Sequence, residues 1–264
     1  MNPSLIRFED ISFRYRPDTA SVLQGLNLQI PSQSVTIILG PNGVGKTTLL
    51  NLLLGWQRPQ TGRILLDDQP LQAYSRRELG KRVALVPQRE TFTFSFTLLE
   101  YVLLGRAPHM RPLDMPTDQD MEICMRALQQ VGMAELAERS ITDLSGGEQQ
   151  LVLVARALAQ GSDILLMDEP TSHLDLKNKL RFVRMVRSLS KSGHTILVTT
   201  HEPEVAAAVA DYVVLMMSNK KTYAGSADAM LNDENLSETY DIVVRTTVQQ
   251  GKKLILWDND SDAN

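Results

Sequence analysis

Cysteine is nearly absent from this chain of 264 residues, where Cys124 stands alone. One thiol can form neither an internal disulfide nor a multi-cysteine metal site, and such scarcity fits a reducing, cytosolic compartment. Cys124 lies in a helical-looking stretch and reads as a small core residue. Long hydrophobic runs are missing too. No stretch of about 18 apolar residues occurs, so no spanning segment is expected. The longest runs, such as Ile164-Leu165-Leu166-Met167, have the length of buried strands. Basic excess is absent, with a formal net charge of −4, which argues against nucleic acid as the main partner. The opening residues, Met1-Asn2-Pro3-Ser4-Leu5, lack the basic-then-apolar order of a secretory signal. No internal repeat or low-complexity tract stands out, and the acidic end, Asp258 to Asp262, reads as a frayed tail.

What is present is 43% hydrophobic residues, enough for one large domain or a domain with a subdomain. Val35–Leu39, Val83–Val86, Ile164–Met167 and Thr195–Val198 look like strands apolar on both faces, as a parallel sheet covered by helices requires. Leu5–Phe8 and Leu26–Ile30 alternate instead, like half-exposed antiparallel strands. Lys46 to Leu54 reads as a helix stopped by Gly55 and Pro59. From about Phe92 to Asp143 strand patterns give way to helical ones. Thr97-Leu98-Leu99-Glu100 fits a capping box, followed by an apolar run to Gly105. A link bearing Pro108, Pro112 and Pro116 follows, and then Met121, Cys124, Leu128 and Val131 fall on one helical face. The expectation is an α/β chain with a helical insert.

Gly40-Pro41-Asn42-Gly43-Val44-Gly45-Lys46-Thr47 fits G-x-x-x-x-G-K-[ST] between a predicted strand and a predicted helix. Glycines let backbone N–H groups converge on phosphate oxygens, and the helix start adds donors and positive dipole. Lys46 supplies charge to the terminal phosphates, and the Thr47 hydroxyl can ligate Mg²⁺. A second motif ends the strand Ile164–Met167 in two carboxylates, Asp168 and Glu169. Successive strand residues face opposite ways, so the two acids take different jobs. Asp168 suits Mg²⁺, and Glu169 suits the general base that polarises an attacking water. His201 follows another strand whose end shares the same sheet edge.

Leu144-Ser145-Gly146-Gly147-Glu148-Gln149-Gln150 places a serine and two glycines at the head of a helix running from Glu148 to Leu158, again an anion-binding device. Since one nucleotide already has its cradle, a second such helix start suggests that two chains share each ATP. This stretch resembles the signature motif of ABC-type ATPases, and the resemblance extends from about Leu5 to Val248. It implies a P-loop NTPase fold with a RecA-like parallel sheet core, an N-terminal antiparallel β part and a helical insert. It implies a division into 1–90 and 145–240 for the core, 91–144 for the helical signature subdomain, and 241–264 for a C-terminal β element and tail. By the same resemblance Gly40 to Thr47 and Thr48 bind the nucleotide. Tyr15 stacks on adenine, with Phe13 as its rival. Gln88 is the Q-loop glutamine that senses the γ-phosphate and Mg²⁺. Ser172-His173-Leu174-Asp175 is the D-loop crossing between subunits, and His201 is the switch histidine. Two copies then pack head to tail, each ATP lying between Lys46 of one and Ser145, Gly146, Gly147 and Gln150 of the other.

A narrower likeness lies in Phe94 to Arg106, in Pro170 to Asp175 and in Leu236 to Val244, which resemble segments of metal-chelate importers for iron–siderophore complexes, haem or cobalamin. It implies a separate integral membrane permease docking near the Q-loop and helical subdomain, a substrate-binding protein, and a peripheral place on the cytoplasmic face of the membrane. An iron–sulfur assembly ATPase and the ATPase subunit of an exporter remain the alternatives.

Overall fold

The computed structural model describes residues 4–111, 113–172 and 174–257. Pro112, His173 and the acidic stretch Asp258 to Asp262 lie outside them. The chain divides into two compact units, Met1–Ala73 with Val186–Asn264, and Tyr74–Met185 between them.

The first unit opens with an antiparallel sheet in which β1 (Ser4–Phe13) pairs β2 (Leu23–Pro31). Leu26, Leu28 and Ile30 are buried between exposed Asn27 and Gln29, as the alternation required. In β1 the buried set changes parity, from Ile6 and Phe8 to Ile11 and Phe13. A strand of period two cannot bury all four unless one residue is slipped in. The register shifts between Phe8 and Ile11, where Asp10 has φ 53° and its N–H donates to Asn27 Oδ1 at 3.0 Å. Next come β3 (Val35–Leu39), wholly buried, and α1 (Lys46–Leu53), ended by Gly55 in the left-handed region. Then β4 (Thr61–Leu66) pairs with β1, and β5 (Gln69–Pro70) pairs back on β4.

The second unit holds α2 (Arg76–Arg82), β6 (Val83–Val86), α3 (Leu98–Leu103), α4 (Asp118–Gln130), α5 (Gly146–Ala159) and β7 (Ile164–Asp168), with β6 and β7 parallel. The helices α2, α3, α4 and α5 all start with a capping box, in which Ser75, Thr97, Thr117 and Ser145 pair with Glu78, Glu100, Asp120 and Glu148. Two details go beyond what the pattern showed. The helix after Thr97 ends at Leu103 and continues to His109 as a tighter 3₁₀ segment, because the Pro108 ring has no N–H and would strike the carbonyl four residues back. On α4, Cys124, Leu128 and neighbouring Val131 are buried but Met121 only half so. Asp120 joins the buried set, its carboxylate 2.8 Å from Arg106 Nε and accepting from the Thr117 hydroxyl at 2.7 Å.

The chain leaves this unit within α6 (Leu176–Lys191). Back in the first unit, β8 (Thr195–Thr200), α7 (Pro203–Val209), β9 (Tyr212–Met216), β10 (Thr222–Ser226), α8 (Ala227–Met230), α9 (Asp233–Tyr240), β11 (Val244–Gln249) and β12 (Lys252–Trp257) follow. There β3 lies between β8 and β9, parallel to both; β10 is antiparallel to β9, and β11 and β12 form a hairpin.

Candidate functional site

In the first unit, β3 delivers the chain into the glycine-rich loop and α1 takes it away. Gly40 runs so close to the Met216 carbonyl that a Cβ there would overlap it, which leaves glycine as the residue that fits. Gly43, at φ 83°, has open space where a Cβ would stand. Lys46 is 5% exposed, and its ammonium donates to the Gly40 and Pro41 carbonyls at 2.8 and 3.1 Å. The loop is thus wrapped around its own lysine. Unlike the four helices that start with capping boxes, α1 has glycine at its N-cap, with no capping side chain and no acidic residue in its first turn. Its positive end is left for an anion from outside.

Tyr15 reaches the same helix, its hydroxyl 3.0 Å from Thr48 Oγ1. Tyr15 is 55% exposed, whereas Phe13 is 4% exposed and meets Tyr15 edge-on at 5.0 Å between centroids. Phe13 is core, so of the two rivals only Tyr15 offers a face to a base. His201 is brought to the loop by register. Leu39 on β3 pairs with Thr200 on β8, so Gly40 and His201 leave neighbouring parallel strands at one edge. The Tyr240 hydroxyl donates to the His201 carbonyl at 3.0 Å.

In the second unit, Val86 pairs with Met167, so Gln88 and Asp168 also leave adjacent strands at one edge. β7 ends at Asp168, and Glu169 lies beyond it at φ 42°. The two carboxylates therefore part by a left-handed turn, not by strand alternation as expected. Such a backbone is uncommon for a residue with a side chain and clusters at functional sites. Its turn is closed by the Ser172 N–H donating to the Glu169 carbonyl at 3.2 Å, and Gln88 Nε2 donates to Ser172 Oγ at 3.3 Å. Asp175 accepts the Asn178 N–H at 2.8 Å, capping the start of α6. His173, expected between them, lies outside the described residues.

Ser145 caps α5, donating its hydroxyl and N–H to Glu148 Oε2 at 2.7 and 2.9 Å. The Ser145 hydroxyl and N–H hold the Glu148 carboxyl below the usual range. Gly146 is open, while a Cβ on Gly147 would stand 2.6 Å from Asn178 Nδ2. Gln150 Nε2 donates to the Pro87 carbonyl at 3.4 Å, tying α5 to the residues before Gln88. A further tie went unread in the sequence: Arg156 on α5 pairs with Glu90 at 2.9 Å, donates to the Tyr101 hydroxyl at 2.6 Å and lies over that ring. Ser-x-x-Glu at Ser145 to Glu148 could have signalled the capping box; nothing local could have signalled Arg156.

The model of the family described as "ABC transporter" matches residues 23–172. The chain belongs to the ABC transporter family. Among curated relatives, the iron(3+)-hydroxamate import ATP-binding protein FhuC of Bacillus subtilis is 35% identical over 84% of this chain and 82% of its own. The molybdate import ATP-binding protein MolC of Haemophilus influenzae is 35% identical over 91% of this chain and 89% of its own. A solved metal-chelate type ABC transporter in an inward-facing conformation superposes with a TM-score of 0.85 at 30% identity, covering 97% of both chains. The fold is accordingly that of the ABC ATPases, a P-loop NTPase core with an antiparallel sheet and helical segments, and the family is one of nucleotide-binding ATPases. Among the described residues no helix is long and apolar enough to cross a membrane.

Proposed function

We propose that this chain is the ATP-hydrolysing subunit of an importer that takes up a metal chelate such as an iron–siderophore complex, haem or cobalamin. The observation that carries the nucleotide site is the start of α1, uncapped and free of first-turn acids, with Lys46 folded beneath its loop. Import of a chelate is supported by the FhuC relative and by the metal-chelate type transporter. MolC, equally similar, moves molybdate by its name. Cargo therefore rests with other chains, which we take to be a membrane permease and a substrate-binding protein, with this subunit on the cytoplasmic face of the membrane.

In this reading Gly40 to Gly45, Lys46, Thr47 and Thr48 grip the phosphates through backbone donors and the lysine charge, and Tyr15 supports the adenine ring. Ser145, Gly146, Gly147 and Gln150 of a second copy face the same nucleotide, with Asp175 near the crossing, so ATP draws two copies together. Mg²⁺ fits the donors present. Among the described residues no group of three or more His, Cys, Asp or Glu could cage a metal. The Thr47 hydroxyl, the Gln88 amide oxygen and the Asp168 carboxylate are hard oxygen ligands of the kind that share Mg²⁺ with phosphates and water. When bound, the ion neutralises charge on the transferred group. Glu169 takes a proton from the attacking water, His201 and Gln88 orient the γ-phosphate, and closure pulls docked permease helices.

Glu169→Gln tests the reading. The variant should bind ATP, form a stable dimer on size exclusion, and lose about 10²–10⁴ in hydrolysis rate. A near wild-type rate would remove Glu169 from its role.

A further inference from the structure

We propose that Tyr240 is a positioning residue for His201, through which the C-terminal element of α9, β11 and β12 sets the geometry of the hydrolytic segment. This rests on the role given to His201 above.

His201 sits in a short irregular stretch between Thr200, the last residue of β8, and Pro203, the first of α7. At one end the Glu202 N–H donates to Thr200 Oγ1 at 3.0 Å. The Tyr240 hydroxyl, 39 positions away in sequence, donates to the His201 carbonyl at 3.0 Å. Because the peptide group is planar, holding that carbonyl fixes the plane joining His201 to Glu202 and so restrains the direction in which Cβ and the imidazole leave the chain.

The support behind Tyr240 is stiff. Leu236 of α9 is fully buried. Glu238 accepts from Lys221 Nζ at 3.0 Å and from the Tyr223 hydroxyl at 3.1 Å on one side. On the other, Asp233 Oδ1 accepts from the Thr246 N–H and hydroxyl at 2.7 Å each. Ser237 Oγ accepts the Val244 N–H at 2.9 Å. Asp241, at φ 55°, ends α9 immediately after the tyrosine, so the phenol stands at a fixed terminus. β12 in turn packs on α7, the helix that begins two residues after His201. The element therefore holds the stretch from both sides, and the Tyr240 hydroxyl meets its backbone at the histidine.

The test is Tyr240→Phe in the full chain, assayed with Mg²⁺ and ATP beside His201→Ala and the double variant. Losing one hydrogen bond that acts through His201 should lower kcat about 3- to 10-fold, with KM for ATP unchanged and Tm lowered by a few degrees at most. In the His201→Ala background the same change should have no further effect on kcat. A full kcat in Tyr240→Phe, or an equal further loss in the double variant, would each overturn the proposal. A full kcat in His201→Ala would remove the role given to His201, and this inference with it. A loss in His201→Ala with none in Tyr240→Phe would sink the tyrosine alone.

Discussion

Two aromatic residues two positions apart, Phe13 and Tyr15, could each have faced a nucleobase on sequence grounds. Their surroundings separate them: one ring fills the core and the other lies open beside Thr48. Phe13→Ala should cost about 3–5 kcal/mol of stability, as buried Phe truncations do. Tyr15→Ala should leave Tm nearly unchanged and weaken ATP binding about tenfold, the size of a lost base–aromatic stack. Thermal melts and an ATP titration on both variants check this. If Phe13→Ala were the variant with intact stability and weak ATP binding, the assignment would reverse. Glu169 shows what residue types cannot tell. Its identity was legible, but its left-handed backbone depends on a turn closed by Ser172.

At the scale of elements, the Arg106–Asp120 pair carries a pH signature. The Thr117 hydroxyl, then Arg106, lower the Asp120 carboxyl to about 2. A carboxyl depressed in the folded state stabilises fully above its unfolded pKa, near 4, and that contribution is lost as pH falls through about 2. Asp120→Asn should therefore lower stability by roughly 2 kcal/mol at pH 7, leaving Arg106 without its counter-charge. The gap from wild type should close between about pH 4 and pH 2 in melts across pH. A gap constant over that window would refute the pairing as its cause. Most core strands were legible because apolar runs such as Val35–Leu39 and alternation such as Leu26 to Ile30 report burial directly. The bulge at Asp10 was not, since it is forced by the parity of partners far along the chain. Asp120 was passed over because a carboxylate enters a helix's buried face only when an arginine meets it there, and Arg106 is 14 positions away. The phosphate loop was legible since its chemistry is local. The ties of Arg156 and Tyr240 are long-range contacts with no local pattern.

For the whole molecule, the proposed pairing of copies has a direct probe. Asn42 and Gly146 are exposed, and nothing crowds a Cβ at Gly146. Burial pushes the Cys124 thiol up to about 11, so it offers little thiolate to compete with introduced cysteines. With Asn42→Cys in one copy and Gly146→Cys in the other, both carrying Glu169→Gln, an intermolecular disulfide should form with Mg²⁺ and ATP and not without nucleotide. Equal crosslinking in both conditions, or none in either, would break the shared-nucleotide reading.

The left-handed start of α1 has one more consequence. At Ser75, Thr97, Thr117 and Ser145 the chain is extended, with φ between −63° and −88°, and from that posture a side chain can fold back onto its own helix. At position 45 the backbone turns the opposite way, with φ 109°. A Cβ there would stand 2.9 Å from Val22 Cγ1 and 3.2 Å from Leu23 Cδ2, so a serine or aspartate could not take this backbone without strain. The mouth of α1 therefore carries no plug of its own making, because the handedness of the main chain that opens it also bars the side chain that would fill it.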